Sequence, residues 1–501
     1  MKKIRLITNT PSFMNDLADV IRLMMGACEV REDEGEIIIE HVHREEKGML
    51  KEKCEMKNAP EAEGVLSALC SRTESGSLVR EYSAPAGEGG PLAEKRAIKR
   101  AAKTALFQLL GAMQTELPPW GSLTGIRPTR LFYEAMENGL SREEARRSLS
   151  ENFYVSDSRT ELLDEIIEMQ QGLIGREDGE FDLYAGIPFC TTRCSYCSFA
   201  AGELGNGKRV EPYVRSLIRE MELCAHLVHE KGLKLRAGYI GGGTPTAISA
   251  EQLRRILQAA KRLYPGAREW TVEAGRPDTI DREKLAMLRE EGVDRICVNP
   301  QTFHDETLVR IGRAHTAQDT LDAFALAREM GFHHINMDFI AALPGETRGD
   351  FVESIQKAIE LDPESITVHA LAIKHSSRLN EQKYTQTSAD EAQRMVEEAR
   401  RLLENAGYRP YYLYRQKYMA GNLENVGYAK PGCACLYNID NMEETAPVLA
   451  FGAGSITKWL FPGRDDGGRD ERIERAPNVR NIDAYIDRVD EMAQRKLDLI
   501  R

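Results

Sequence analysis

The chain has 501 residues, enough for about three domains of ordinary size. At 42% hydrophobic and 29% charged it has the balance of a folded globular protein, which excludes collagen-like, mucin-like and wholly disordered chains. The 67 Lys and Arg against 79 Asp and Glu leave a net charge of −12, so a nucleic-acid partner would need a local basic patch and is not expected.

In chain order, residues 3–8 and 36–43 read as strands and Met14–Met25 as a helix, predicting an α+β N-terminal domain over 1–175. Residues 84–91 are a Gly/Pro-rich turn, and 94–113 are helical. Lys95, Lys99 and Lys103 recur at helical spacing there, beside Arg96 and Arg100; a solvated face is the expected reading, RNA contact the alternative. The pattern is helical again over 141–174, and 178–180 reads as a linker.

Six short apolar runs follow, at 181–187, 237–241, 270–273, 295–298, 335–340 and 366–371. Amphipathic stretches at 212–231, 250–264, 281–291, 317–330 and 350–360 separate them. Strands alternating with helices imply a parallel sheet, and six units an incomplete (β/α)6 barrel over 176–375, an α/β fold. Chemistry then belongs at the C-terminal ends of the strands. Beyond 376 come a helix near 389–406, an aromatic stretch at 408–418, a Gly-rich segment at 421–454, a charged loop at 464–475 and a last helix. These suggest a mixed, mainly helical C-terminal domain over 376–501.

No run of eighteen apolar residues occurs, so no membrane span is expected. The N-terminus lacks the apolar core of a signal peptide, and the chain reads as cytoplasmic. Ten cysteines are too few for a disulfide scaffold. Cys28, Cys54, Cys70, Cys224 and Cys297 are scattered and read as small buried hydrophobes, and the Cys433/Cys435 pair as structural.

The exception is Cys190-Thr-Thr-Arg-Cys194-Ser-Tyr-Cys197, directly after the first barrel strand. Three thiols so close together can converge on one centre. A structural zinc site normally closes with four ligands, and no fourth Cys or His is near in sequence. An iron–sulfur cubane held by three thiolates leaves one iron open, which suits a catalytic cluster. The second strand ends in Gly241-Gly242-Gly243-Thr244, where backbone can approach a ligand closely and leave amides free for it. Glu273, Gln301, Arg313 and Asp338 are polar residues at strand ends or in the loops beyond, where a core would not want them.

The C-x3-C-x2-C spacing in this strand context resembles the radical S-adenosylmethionine (SAM) enzymes. The segments around Tyr184–Cys190, GGGTP, Gln301–Arg313, Asn336–Asp338 and Ala341–Gly345 resemble the oxygen-independent coproporphyrinogen III oxidases. The segments at 120–128, 410–417 and 420–428 are similar to the HemZ-like branch of that family. The resemblance implies a [4Fe–4S] cluster on Cys190, Cys194 and Cys197, with SAM on the open iron. It further implies that Tyr184, Gly242 and Glu273 contact this SAM, and that Tyr196, Gly243, Thr244, Gln301, Arg313, Asp338 and Ala372 fall where the oxidases bind a second one. The implied activity converts coproporphyrinogen III to protoporphyrinogen IX without oxygen. A reduced cluster passes an electron to SAM, the resulting 5′-deoxyadenosyl radical takes hydrogen from a propionate β-carbon, and loss of CO2 and an electron leaves a vinyl group. A tetrapyrrole substrate and an unidentified electron donor and acceptor are the implied partners. With Arg313 given to SAM, Arg415 and Lys417 are left as candidate cations for the propionates.

Two positions depart from the oxidases: Phe199 stands where they carry a fourth Cys, and Gly186 where they carry His. The family's haem chaperones also have Phe at the former position, but they carry His-Asn-Leu where this chain has Gly421-Asn422-Leu423. A haem-binding chaperone is therefore the alternative. A radical SAM enzyme acting on RNA, through the basic helix and residues 124–130, is a second one.

Overall fold

The computed structural model describes residues 2–26, 28–86, 90–124, 127–199, 201–374, 377–382, 384, 387–416, 419–461 and 472–501. The charged loop expected at 464–475 lies largely outside them, as does Lys417. The described chain divides into two compact units, one up to Asp164 and one from Glu165 onward.

The first unit is a six-stranded mixed sheet: Lys2–Thr8 (β1), Cys28–Arg31 (β2), Ile37–Glu46 (β3), Met49–Lys57 (β4), Ser71–Arg72 (β5) and Leu78–Pro85 (β6), in the order β2-β1-β3-β4-β6-β5. Helices Met14–Met25 and Pro91–Gly111 cover one face, burying Leu17, Ile21, Leu106 and Leu110 against Ile4, Leu6, Ile39 and Met56. On the basic face of the second helix, Lys99 pairs with Asp16 at 3.4 Å and Arg100 with Glu134 at 3.0 Å, both within this unit.

The second unit holds the six expected parallel strands: Glu180–Ile187 (β7), Lys234–Gly242 (β10), Glu269–Gly275 (β11), Arg295–Val298 (β12), Ile335–Ala341 (β13) and Ser365–Ala370 (β14). A short ladder, Phe189–Cys190 (β8) with Gly202–Glu203 (β9), lies between the first two. The helices between strands start where their sequences cap them. Ser249 with Gln252, Thr316 with Asp319 and Thr347 with Asp350 form reciprocal capping boxes, and Asp281 caps helix Arg282–Glu290.

The segment 376–501 is mixed and mainly helical among its described residues, as expected, but its strands do not form a domain apart from the barrel. It contributes Arg409–Tyr414 (β15), Asn425–Ala429 (β16), Val448–Phe451 (β17), Ile456–Phe461 (β18) and Arg472–Pro477 (β19), all paired into the barrel's own sheet. The order is β15-β16-β14-β13-β12-β11-β10-β7-β17-β18-β19, with β17 a seventh parallel strand beside β7. The physical reason is edge satisfaction: an open six-stranded barrel leaves two edges, and these segments supply the missing ladder hydrogen bonds. Helix Leu436–Glu443 packs by the strand starts, where Asp440 and Glu180 bind Arg236 at 2.6 and 3.3 Å.

Candidate functional site

Side chains on a strand alternate, so alternate residues of β11 to β14 face the barrel interior. They line a single cavity of about 350 Å³. Thr271, Glu273, Arg295, Asn299, Asn336, Asp338, Ser365 and His369 are among the inward residues that line it.

Cys190, Cys194 and Cys197 are free thiols on one loop and all line this cavity. The loop is pinned from several sides. The Ser195 amide donates to Ile311 O at 2.9 Å, Thr192 Oγ1 to Gly312 O at 3.1 Å, and Thr191 Oγ1 to Asp278 Oδ2 at 2.8 Å. Arg276 bonds Asp278, donates to Thr192 O at 3.1 Å and stands 3.8 Å from Cys194 Sγ. Burial raises the Cys190 and Cys197 thiol pKa values, opposed at Cys190 by a hydrogen bond with Thr244, whose Oγ1 is 3.5 Å away, and at Cys197 by the Phe199 amide. Among the described residues no three His, Cys, Asp or Glu side chains are gathered for a single ion. A cluster asks for less, because each thiolate binds a different iron.

The triglycine meets this loop. A Cβ on Gly243 would stand 2.7 Å from Phe189 O and 3.0 Å from Cys190 Sγ, so only glycine permits the approach. The expectation of free amides is corrected here. Gly243 N donates to Ile187 O and Thr244 N to Phe189 O, each at 2.8 Å, and Gly242 N bonds Glu273. The pairing of β10 with β7 simply continues past the strand end and consumes them. Gly242 also has φ +116, and a Cβ there would meet Ile187 backbone at 2.9 Å.

Glu273 accepts from Tyr239 OH at 2.5 Å, and no Lys or Arg pairs with it among the described residues. Burial pushes its carboxyl up to about 7, and Asp338 adds to the rise. Desolvation acts in the same direction on the half-buried Asp338, yet His369, with Nε2 3.9 Å away, and Asn336, donating at 2.7 Å, hold it below the ordinary carboxylate range. Arg313 donates to Asn299 O at 2.8 Å and Tyr196 OH at 3.1 Å. Arg313 Nε and Asn299 Oδ1 are buried without partners among the described residues. Gln301 sits beyond β12 with φ +70, bridged to Phe339, and Ala372 bridges Met419; both line the cavity.

Most sequence candidates are thus brought together, and Tyr184 is the exception. It does not line the cavity but stacks beside Tyr239 and Tyr437, with centroids 6.2 and 6.3 Å away. Its ring occupies the space beside Gly186, where a Cβ would come within 3.2 Å of Tyr184 Cε1. Arg415 is also displaced: it is buried, donates to Asn422 O at 2.9 Å and is not in the cavity wall. Cys435 is buried against Thr271 and Glu269, donating to Glu269 Oε1 at 3.3 Å, a structural placement. Phe199 is 68% exposed and lines the cavity. Sequence reading missed Tyr239, Asn299, His369 and Lys374, whereas the aromatic stretch at 408–418 does supply cavity wall, through Tyr411, Tyr412 and Tyr414. The strand period carried the signal for the first three, one inward residue apart from Gly241, Cys297 and Thr367.

The donor set fits an iron–sulfur cluster with an amino-acid ligand beside it: three free thiols, a backbone approach only glycine allows, a half-buried carboxylate with no paired cation, and atoms on Arg313 and Asn299 without partners among the described residues.

Residues 184–358 match the family model for the radical SAM superfamily. The chain is 38% identical over 418 residues to the oxygen-independent coproporphyrinogen-III oxidase-like protein HemZ of Bacillus subtilis (strain 168), covering 81% of this chain and 82% of that one. It is 28% identical over 301 residues to the heme chaperone HemW of Escherichia coli (strain K12), covering 60% and 74%. Coproporphyrinogen III oxidase (HemN) from Escherichia coli, a radical SAM enzyme, matches in structure with TM-score 0.51 at 21% identity, over 64% of this chain and 72% of that one.

Proposed function

The chain belongs to the radical SAM superfamily, in the family of the HemZ oxidase-like protein, and from that premise we propose that it oxidatively decarboxylates coproporphyrinogen III to protoporphyrinogen IX without oxygen. One observation carries the reading: a single cavity joins the cysteine loop to a polar barrel interior and a tyrosine wall from β15.

In this reading Cys190, Cys194 and Cys197 hold the [4Fe–4S] cluster, and Glu273 with the Gly242–Gly243 backbone receives SAM. Cluster and SAM together supply one-electron hydrogen abstraction. The protein's part is placement and shielding. Arg276 and Asp278 fix the cysteine loop, so its thiols need not reorganise. Arg313, held by Tyr196 and Asn299, stays cationic and offers Nε toward a carboxylate. Asp338, kept ionised by His369 and Asn336, offers an acceptor deep in the barrel. Tyr412 and Tyr414 stack at 10° and 6.5 Å, presenting an apolar face that excludes water.

The test is anaerobic incubation of cluster-reconstituted protein with SAM, a reductant and coproporphyrinogen III. Protoporphyrin above a no-enzyme control is the expected result. The likeness to HemW and the Phe199 substitution support a second reading, a haem-binding chaperone. Stoichiometric Soret-band binding of haem, with no protoporphyrin formed, would favour that reading and overturn the first.

A further inference from the structure

Arg295 opens β12 and Ser365 opens β14, so both stand at the end of the cavity opposite the cysteine loop. Register places Arg295 beside Thr271, and Ser365 beside Asn336 and Cys297, the next inward position along the strands, within reach of a long arginine side chain. Arg295 and Ser365 are only 4% and 1% exposed. Arg295 Nη2 donates to Ala434 O at 3.2 Å and lies 3.9 Å from Glu269 Oε2. Its Nε and Nη1, and Ser365 Oγ, have no hydrogen-bond partner among the described residues.

Arg236 is a control within the same molecule. It is equally buried by the strand starts, yet Asp440 takes its Nε at 2.6 Å, Glu180 its Nη1 at 3.3 Å and Leu173 O its Nη2 at 2.6 Å. An arginine in this part of the barrel can therefore be fully satisfied by the protein. Arg295 is not, and burying charged donors unmatched is costly unless something else meets them.

We propose that Arg295 and Ser365 form a carboxylate subsite that takes one carboxylate arm of the organic substrate. Arg295 Nε and Nη1 and the Ser365 hydroxyl offer donors to the oxygens of one carboxylate, and Glu269, 3.9 Å from Arg295 Nη2, disfavours the second negative charge that a phosphate dianion would bring. The inference rests on reading the cavity as the substrate chamber, where the arm of the proposed tetrapyrrole would be a propionate.

Two probes test it on the full chain without the cluster: propanoate, by saturation-transfer NMR, and coproporphyrin III, the stable oxidised form of the proposed substrate, by fluorescence. Arg295→Met should weaken both about tenfold or more, the scale of a lost charged hydrogen bond. Ser365→Ala removes a buried, unpartnered hydroxyl, so it should fold normally and weaken both about threefold. It decides the matter if Arg295→Met does not fold. Propanoate that fails to bind wild type, or binds equally to a folded Arg295→Met and to Ser365→Ala, overturns the subsite. Propanoate binding that depends on these residues, with no coproporphyrin binding to wild type, upholds the subsite and removes the tetrapyrrole reading instead.

Discussion

Two glutamates of the barrel unit, one buried outside the barrel and one half-buried inside it, are treated in opposite ways. Glu220, on helix Val210–Glu230, accepts from Lys496 Nζ and Tyr485 OH at 2.6 Å and from Asn478 Nδ2 and the Gly452 amide at 2.9 Å. Glu273 has a tyrosine, one amide and no paired cation, and its carboxyl is pushed up to about 7. The protein completes the first site itself. The second it leaves without a counter-charge inside the cavity, which is what the proposed cofactor role would use.

The largest expected effect sits on the incomplete side. Replacing Cys190, Cys194 and Cys197 together by Ala should abolish iron binding by anaerobically reconstituted protein. Cys435→Ala should leave iron in place, because that thiol is already spent on Glu269. Iron measured per folded chain checks this, and equal loss in both variants would break the distinction.

On the satisfied side, Lys496→Met leaves Glu220 buried without its cation. The expected loss is about 3–5 kcal/mol, the usual result of breaking a buried pair from one side. Urea denaturation measures it. A cost no larger than that of a surface substitution would mean Glu220 is not a clamp. Gly452, bonded to Glu220, lies against Gly186, whose carbonyl also takes Tyr213 OH at 2.6 Å. The clamp thus supports the end of β7, from which the cysteine loop departs.

The barrel was legible because its signals are local and periodic. All six strand runs and the five helices between them fall within a few residues of expectation, and capping residues mark four helix starts. The cysteine spacing and the glycine run were legible for the same reason. What escaped depends on long-range pairing. β17 is four residues with no period of its own, and only the open edge beside β7 makes it a strand. Arg415 read as a ligand cation because the resemblance gives Arg313 to SAM; the bend after β15 turns it to Asn422 instead. The triglycine amides read as free, since sequence cannot show that strand pairing runs on past Gly242. Gly242→Val is accordingly a poor probe of SAM binding, because the side chain would strike Ile187 backbone.

The smallest expected effect tests Glu273 most directly. Its carboxyl titrates near 7 in the folded chain against an ordinary 4.5, raised first by burial. Between those two values the folded state holds a proton that the unfolded state has released. Stability conferred by the protonated form is complete below 4.5 and is lost as pH rises toward 7, the reverse of an ion-paired carboxylate. Glu273→Gln cannot release a proton, so it should lack this slope. The full shift would correspond to roughly 3 kcal/mol, but the cavity admits water to the carboxylate, so a wild-type minus variant difference of about 1–2 kcal/mol is expected. Urea denaturation of the cluster-free proteins at pH 5 and pH 7.5 measures it, with every other titrating group cancelling in the difference. If the two proteins lose stability in parallel, Glu273 is ionised throughout and the contrast with Glu220 fails.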